Sequence, residues 1–309
     1  MGFREETEME LGMIGLGRMG AAMTKRLLTA GHTVVAYDQD RAAVERSITD
    51  GAVGAVSLDA LVSRLTAPRT VWVMVPAGDA VNDTIERLTR LLKADDTLID
   101  GGNSNFRDTL QRAFSVQKSG VHFVDVGTSG GIWGLKEGYC LMIGGDAAVV
   151  KRIQPLFESL APAQDRGWAH VGPVGAGHFT KMIHNGIEYG LMQSYAEGFA
   201  LLEKNKDFHL DLPKIAEIWR HGSVVRSWLL DLTAQALAEN PTLEGIGPSV
   251  ADSGEGRWMV AEAIAADVPC PVITLSLLER IRSRVQDSFG NRILAVMRNK
   301  FGGHAIAKQ

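Results

Sequence analysis

The feature that most constrains this chain is Gly15-Leu16-Gly17-Arg18-Met19-Gly20. The six residues match GxGxxG, and their surroundings give the match its weight. They follow residues 11–14, an apolar run that reads as a strand, and open residues 19–30, which read as a helix. In such a strand–turn–helix unit the first glycine makes the tight turn. The second lets the backbone approach a pyrophosphate, and the third lets the helix pack closely on the strand. The helix N-terminus then offers unsatisfied N–H groups and the positive end of its dipole. Asp38 follows the strand predicted over residues 33–37, 18 residues after Gly20. A carboxylate there accepts hydrogen bonds from the ribose hydroxyls of NAD and repels the extra phosphate of NADP. Arg41, close by in sequence, offsets part of that repulsion. The expected cofactor is therefore NAD, with NADP possible. The expected dinucleotide site is Gly15, Leu16, Gly17, Arg18, Met19, Gly20 and Asp38. Met74, Val75 and Pro76 join it, from a loop that should approach the nicotinamide half. A glycine-rich turn beside a solvated aspartate is the plainer alternative; motif, context and spacing together weigh against it.

Short β-rich runs and helical stretches alternate through the first half. Strands are predicted over residues 33–37, 70–75, 97–99 and 121–126, with residues 138–145 and 168–171 adding edge strands. This alternation predicts a parallel sheet with helices on both faces. Gly172-Pro173-Val174-Gly175-Ala176-Gly177 breaks the pattern, and helical periodicity then runs to the end. Helices are predicted over residues 178–203, 211–220, 224–238, 256–266 and 272–297. The fold class is α/β then all-α. A flexible extension (1–8) precedes a Rossmann-type domain (9–173), and a helical substrate and oligomerisation domain with a C-terminal tail (174–309) follows.

Composition excludes several other classes. The 309 residues carry a net charge of −4 with the cations dispersed, so no basic face marks a nucleic-acid partner. No apolar run is long enough to span a membrane, and the acidic first ten residues do not read as a signal peptide, so the expected setting is the cytoplasm. Cys140 and Cys270 are far apart, form no CxxC, and read as buried structural thiols; no metal site is expected.

Lys181, His184, Asn185, Glu188 and Tyr189 fall at offsets 0, 3, 4, 7 and 8, one face of a helix. An ordinary amphipathic helix shows a polar face too. The residue types add chemistry. Removing hydride from a secondary alcohol requires a base for the hydroxyl proton. A lysine serves if burial or a neighbouring cation brings it down from about 10.4. Glu188 supplies an acid, and His184 and Asn185 can orient hydroxyls or a carboxylate.

Lys181-Met182-Ile183-His184-Asn185-Gly186-Ile187-Glu188-Tyr189 resembles the signature helix of 6-phosphogluconate dehydrogenases. Gly15–Gly20, Gly101-Gly102-Asn103-Ser104 and Ser129-Gly130-Gly131 resemble further segments of that family, and Arg298-Asn299-Lys300-Phe301-Gly302-Gly303-His304 resembles its substrate-binding tail. The resemblance runs from about Met9 to His304, and the helix and the tail are its specific parts. It implies Lys181 as base and Glu188 as acid. Asn103, Ser129, Gly130, Gly131, His184 and Asn185 would hold the sugar acid, with Asn103 also beside the cofactor. Tyr189, Arg257, Arg280, Arg298 and His304 would hold the phosphate, a role suited to planar guanidinium groups. Without the resemblance, Arg257 and Arg280 read as surface charges and His304 as a frayed terminus.

The sequence departs from the long form of the family in several places. The chain is much shorter, so part of the long form's helical domain is expected to be absent. Ile132-Trp133 replaces an acidic pair, Pro76 stands where lysine is usual, and Arg257 and Met259 replace Lys and Thr. Asp38 replaces the NADP-selecting pattern. These features resemble a shorter, NAD-leaning branch. The implied reaction is oxidative decarboxylation of 6-phosphogluconate to ribulose 5-phosphate in the pentose phosphate pathway, without a metal, by a homodimer or homotetramer. Two alternatives remain at this point. One is a β-hydroxyacid dehydrogenase for small unphosphorylated acids, which should have Asn at 184 and no acid at 188. The other is a non-catalytic NAD-binding scaffold, which should lack the lysine.

Overall fold

A computed structural model describes residues 8–285 and 288–302. The chain divides into two compact units that meet within one helix, Met1–His184 and Asn185–Gln309. The first unit is built on an eight-stranded sheet of order β3-β2-β1-β4-β5-β6-β7-β8. Its strands are β1 (Glu10–Ile14), β2 (Thr33–Tyr37), β3 (Val53–Gly54), β4 (Thr70–Val73), β5 (Thr97–Asp100), β6 (His122–Ser129), β7 (Cys140–Gly144) and β8 (Trp168–Gly172). Helices α1 (Arg18–Thr29), α2 (Arg41–Thr49), α3 (Leu58–Arg64), α4 (Asp79–Leu91) and α5 (Phe106–Gln117) connect the first six strands. Short helices α6 (Gly134–Glu137), α7 (Ala147–Arg152) and α8 (Gln154–Leu160) follow.

The strands bury both faces, which is why they read as apolar runs without clean alternation. Val71 and Val73 point into one core cluster with Ile14 and Leu98. Trp72, between them, points into the other with Met13, Ile99 and Phe157. From β3 to β6 every pairing is parallel. The order reverses between β1 and β4, the switch point at which doubly wound sheets bind ligands.

One expectation about the sheet needs correction. Residues 138–145 do not supply an edge strand: β7 lies inside the sheet, antiparallel to β6 and parallel to β8. The two-residue strand β3 has no sequence signal, because Val53-Gly54 is too short to carry a period. The cysteines also differ from expectation, since Cys140 is exposed and Cys270 half-buried.

Helix α9 (Ala176–Lys204) carries the chain from the first unit into the second. The second unit continues through α10 (Leu212–Trp219), α11 (Trp228–Glu239), α12 (Glu255–Ala265), α13 (Pro271–Arg282) and α14 (Phe289–Gly302). Its described residues include no strand. Ala216, Ala234 and Leu237 form a small core with Phe199 and Leu212. The single helix expected over 272–297 is two helices. Ser288 accepts the Asn291 N–H at 3.2 Å at the start of α14, two residues before Gly290. The extension expected over residues 1–8 lies, apart from Glu8, outside the described residues. No described helix is long and apolar enough to cross a membrane.

The edge between β1 and β2 contains a buried imidazole. His32 Nδ1 accepts the Met9 N–H at 3.0 Å, so Nε2 carries the proton and faces Ser159 Oγ at 2.8 Å. Burial lowers the His32 pKa below its ordinary 6.5, outweighing the opposing pulls of a backbone hydrogen bond with Pro155 and of the Glu8 charge. A histidine held neutral in the fold leaves the unfolded chain to take up protons first on acidification. Its contribution is therefore complete above pH 6.5 and declines as pH falls below it, by about 1.4 kcal/mol per unit of depression. Urea denaturation at pH 7.5 and 5.0 should show wild type losing more stability than His32→Gln; equal losses would remove His32 from the acid response.

Candidate functional site

A cavity of about 910 Å³ opens at the switch point. It is lined by Gly15, Gly17, Arg18, Met19 and Gly20 from the β1–α1 turn, Asp38 after β2, Met74, Val75 and Pro76 after β4, and Asn103 after β5. These expected cofactor residues thus share one wall system. Leu16 does not line it: its side chain is 3% exposed and lies in the core, and only its amide takes part. Asp38 Oδ2 accepts that Leu16 N–H at 2.5 Å, and Oδ1 accepts the Asp40 N–H at 2.7 Å. The carboxylate therefore holds the glycine turn in place and still has lone pairs for ribose hydroxyls. Arg41, expected to soften its charge, is exposed, pairs with Glu45 and does not line the cavity.

The glycines fit a dinucleotide for distinct reasons. Gly15 has φ +91°, open to glycine. A Cβ on Gly20 would lie 1.9 Å from the Gly15 carbonyl oxygen, so α1 starts against the turn only with hydrogen there. A Cβ on Gly17 would meet no protein atom, and it would project into the space that a pyrophosphate needs. Gly17 is also the N-cap of α1 and provides no side-chain cap, which leaves helix N–H groups for an anion. The chain binds NAD(P) with these residues available to hold it.

A second cluster lies where α9 crosses β6. Lys181 Nζ is 3.3 Å from His184 Nδ1, and His184 Nε2 is 3.4 Å from Ser129 Oγ. The imidazole therefore stands between an amine and an alcohol, in contact range of both. Lys181 is half-buried, and its Cβ would be 2.4 Å from a Cβ on Gly127. That glycine is what lets α9 lie against the strand. Gly130 and Gly131, with φ +128° and +50°, turn the chain from Ser129 into a 3₁₀ turn at Gly131–Trp133.

In the second unit Asn185 and Tyr189 are buried, at 7% and 6% exposure. Tyr189 packs where a Cβ on Gly256 would collide with its ring, and the Arg280 guanidinium lies over it, 3.5 Å from the centroid. Burial raises the Tyr189 hydroxyl pKa, Arg280 opposing. Arg280 Nη1 also donates to the Ala251 carbonyl at 3.1 Å. Arg257 Nε donates to buried Asp252 at 2.6 Å, and Arg284 Nη2 is 3.5 Å from the same oxygen. Neither Arg284 nor Asp252 was singled out from sequence; a lone aspartate in a loop carries no signal. Arg298 is exposed on α14 and makes no hydrogen bond or ion pair among the described residues. His304 lies outside them. Met259 is a packing residue, its side chain filling the space beside Gly186. Among the described residues no His, Cys, Asp and Glu group is arranged to hold a metal.

Fold and cavity define a Rossmann-type NAD(P)-binding protein with a helical second unit. Residues 10–172 match the family described as the NAD binding domain of 6-phosphogluconate dehydrogenase, and residues 177–300 its C-terminal domain. The chain belongs to the 6-phosphogluconate dehydrogenase family. It is 43% identical over 302 residues to the NAD(+)-dependent, decarboxylating 6-phosphogluconate dehydrogenase of Haloferax volcanii, covering 97% of this chain and 99% of that one. It is 32% identical to the NADP(+)-dependent, decarboxylating enzyme of Bacillus subtilis, over 91% of this chain and 62% of the relative. A solved 6-phosphogluconate dehydrogenase from Plasmodium falciparum superimposes with a TM-score of 0.82 at 25% identity, over 97% of this chain and 66% of that one.

Gly17→Val tests the cradle. The variant should keep its thermal midpoint within a few degrees and bind NAD at least about tenfold more weakly, as measured by fluorescence titration. Unchanged affinity would mean that the pyrophosphate lies elsewhere.

Proposed function

We propose that the protein oxidatively decarboxylates 6-phosphogluconate to ribulose 5-phosphate and CO2, with NAD preferred over NADP. The observation that carries this reading is the Lys181–His184–Ser129 contact, formed in the unit that also holds the dinucleotide cavity, on a chain of this family. Asp38 supports the NAD preference, since its carboxylate lines the cavity and Arg41 is turned to Glu45. NAD, when bound, accepts the hydride that leaves C3 of the substrate. Neutral Lys181 takes the proton of the C3 hydroxyl, with His184 holding the amine in place. The resulting ammonium faces the new C3 carbonyl and returns its proton to that oxygen as the C1–C2 bond breaks and CO2 departs. Glu188, two helical turns from Lys181, gives a proton to the carbon that lost the carboxylate, while Lys181 takes back the enediol proton. Proton transfer from the ammonium to the Glu188 carboxylate then restores the starting state. Asn103, Ser129, Gly130, Gly131 and Asn185 hold the sugar acid. Tyr189, Arg257, Arg280, Arg298 and His304 hold the phosphate.

The second unit leaves large apolar side chains uncovered, among them Leu201 at 75%, Ile264 at 73% and Phe289 at 69% exposure. Such exposure supports a homodimer or homotetramer.

The direct test is reduction of NAD or NADP by 6-phosphogluconate with simultaneous CO2 measurement. Equal amounts of reduced cofactor and CO2 are expected, with a higher kcat/KM for NAD. No reduction with either cofactor would overturn the substrate and favour a small unphosphorylated hydroxyacid. Lys181→Met should bind NAD normally and lose at least about 10³-fold in kcat. Asp38→Ala should lower the NAD-over-NADP ratio of kcat/KM by about tenfold, the loss of charge-assisted ribose hydrogen bonds; an unchanged ratio would shift selectivity to other residues.

A further inference from the structure

A row of buried polar groups crosses the first unit from the cofactor loop to the start of α9. Asp100, fully buried at the end of β5, accepts the Gly102 N–H at 3.2 Å and the Ser104 hydroxyl at 3.1 Å, and so shapes the loop that carries Asn103 into the cavity. Its Oδ2 receives Arg112 Nη2 at 2.9 Å. The same nitrogen donates to Thr109 Oγ1 at 3.2 Å, and Thr109 Oγ1 is 2.8 Å from His178 Nδ1. His178 donates its backbone N–H to fully buried Asp125 at 2.8 Å, and Gly175 donates to the other oxygen at 2.6 Å. Lys181 is one turn further along the helix.

The middle of the row has two settings. The Thr109 hydroxyl has one proton and two acceptors in reach, the Asn105 carbonyl at 3.1 Å and His178 Nδ1. Given to Asn105, it leaves the oxygen to accept from both Arg112 and a protonated Nδ1. Given to His178, it selects the other imidazole tautomer. Arg112 Nε and His178 Nε2, on the two sides of Thr109, are buried without a hydrogen bond.

We infer that Thr109 and His178 are positioning residues that make the placement of Lys181 respond to the dinucleotide loop. The inference rests on reading residues 101–103 as cofactor wall and Lys181 as base. Binding that draws Asn103 and Gly102 toward the cofactor pulls on Asp100 and Arg112, resets Thr109 and His178, and moves the first turn of α9.

The test measures the rate of reductive methylation of Lys181 by peptide mass spectrometry, with and without saturating NAD. Wild type should change about fivefold or more, the lower end of ordinary coupling between sites. Thr109→Val should bind NAD with similar affinity and lose the change, and Thr109→Ser should keep it. Persistence of the change in Thr109→Val would show direct shielding by NAD and overturn the inference, as would no change in wild type. Amide hydrogen exchange of residues 175–181 in wild type requires no variant; NAD-independent exchange there would also overturn it. Neither readout uses 6-phosphogluconate, so absence of turnover would remove the functional reading and leave this result standing.

Discussion

The carboxylate of Asp125 accepts the first amide protons of α9 from the middle of β6, and the site in the first unit depends on that contact. A helix leaves four N–H groups unsatisfied at its start, and burying them requires partners. Here one buried anion satisfies two and also meets the positive end of the dipole. Close approach is needed as well. A Cβ on Gly177 would lie 2.4 Å from the Met142 carbonyl oxygen, and a Cβ on Gly144 would lie 2.4 Å from Asp125 Oδ1. Strand, carboxylate and helix are therefore closely fitted, and Lys181 and His184 take their position from that contact. Loss of Asp125 would leave two amides and a dipole end uncompensated.

How much of this could be read from the sequence depended on the range of the interaction involved. The glycine turn and Asp38 are local signals, and their residues line one cavity apart from Leu16, whose side chain turns into the core. Strands β1, β2, β4, β5 and β6 were legible because apolar runs between turn residues need no partner to be recognised. The place of β7 inside the sheet depends on its pairing with β6 and β8, which no local pattern encodes. The start of α14 carries a serine cap and, two residues on, Gly290, signals that a helical period over 272–297 passes over. Asp100, Arg112 and Asp125 were missed, although an aspartate within the apolar run His122–Val126 was an available sign: a charge in a buried strand needs a partner. Which partner it takes is a matter of tertiary structure, 50 residues and more away for Asp125.

Charge is handled differently in the two units. In the first, Arg112 faces Asp100 with both nearly inaccessible, so removing either would strand the other at a cost of about 3–5 kcal/mol. In the second, Asp252 is buried but its partners Arg257 and Arg284 keep much of their surface in water. Burial pushes the Asp252 carboxyl up, and Arg257, the Gly254 amide and Arg284 more than reverse it, leaving it below the usual carboxylate range. Cations restrained in this way, with exposed guanidinium edges, are suited to meeting a mobile anion without large rearrangement.

The β6–β7 hairpin divides its labour along its length. Tyr139 is fully buried beneath Gly134, where a Cβ would come within 1.9 Å of the ring, and Gly138 is closed in by Pro162. Just ahead of these anchors Ile132 is 68% exposed. Mutation at 130, 134 or 139 is thus opposed by the fold itself, while position 132 is nearly invisible to it. Side chains at such a position can change without disturbing the backbone that places the Ser129 hydroxyl.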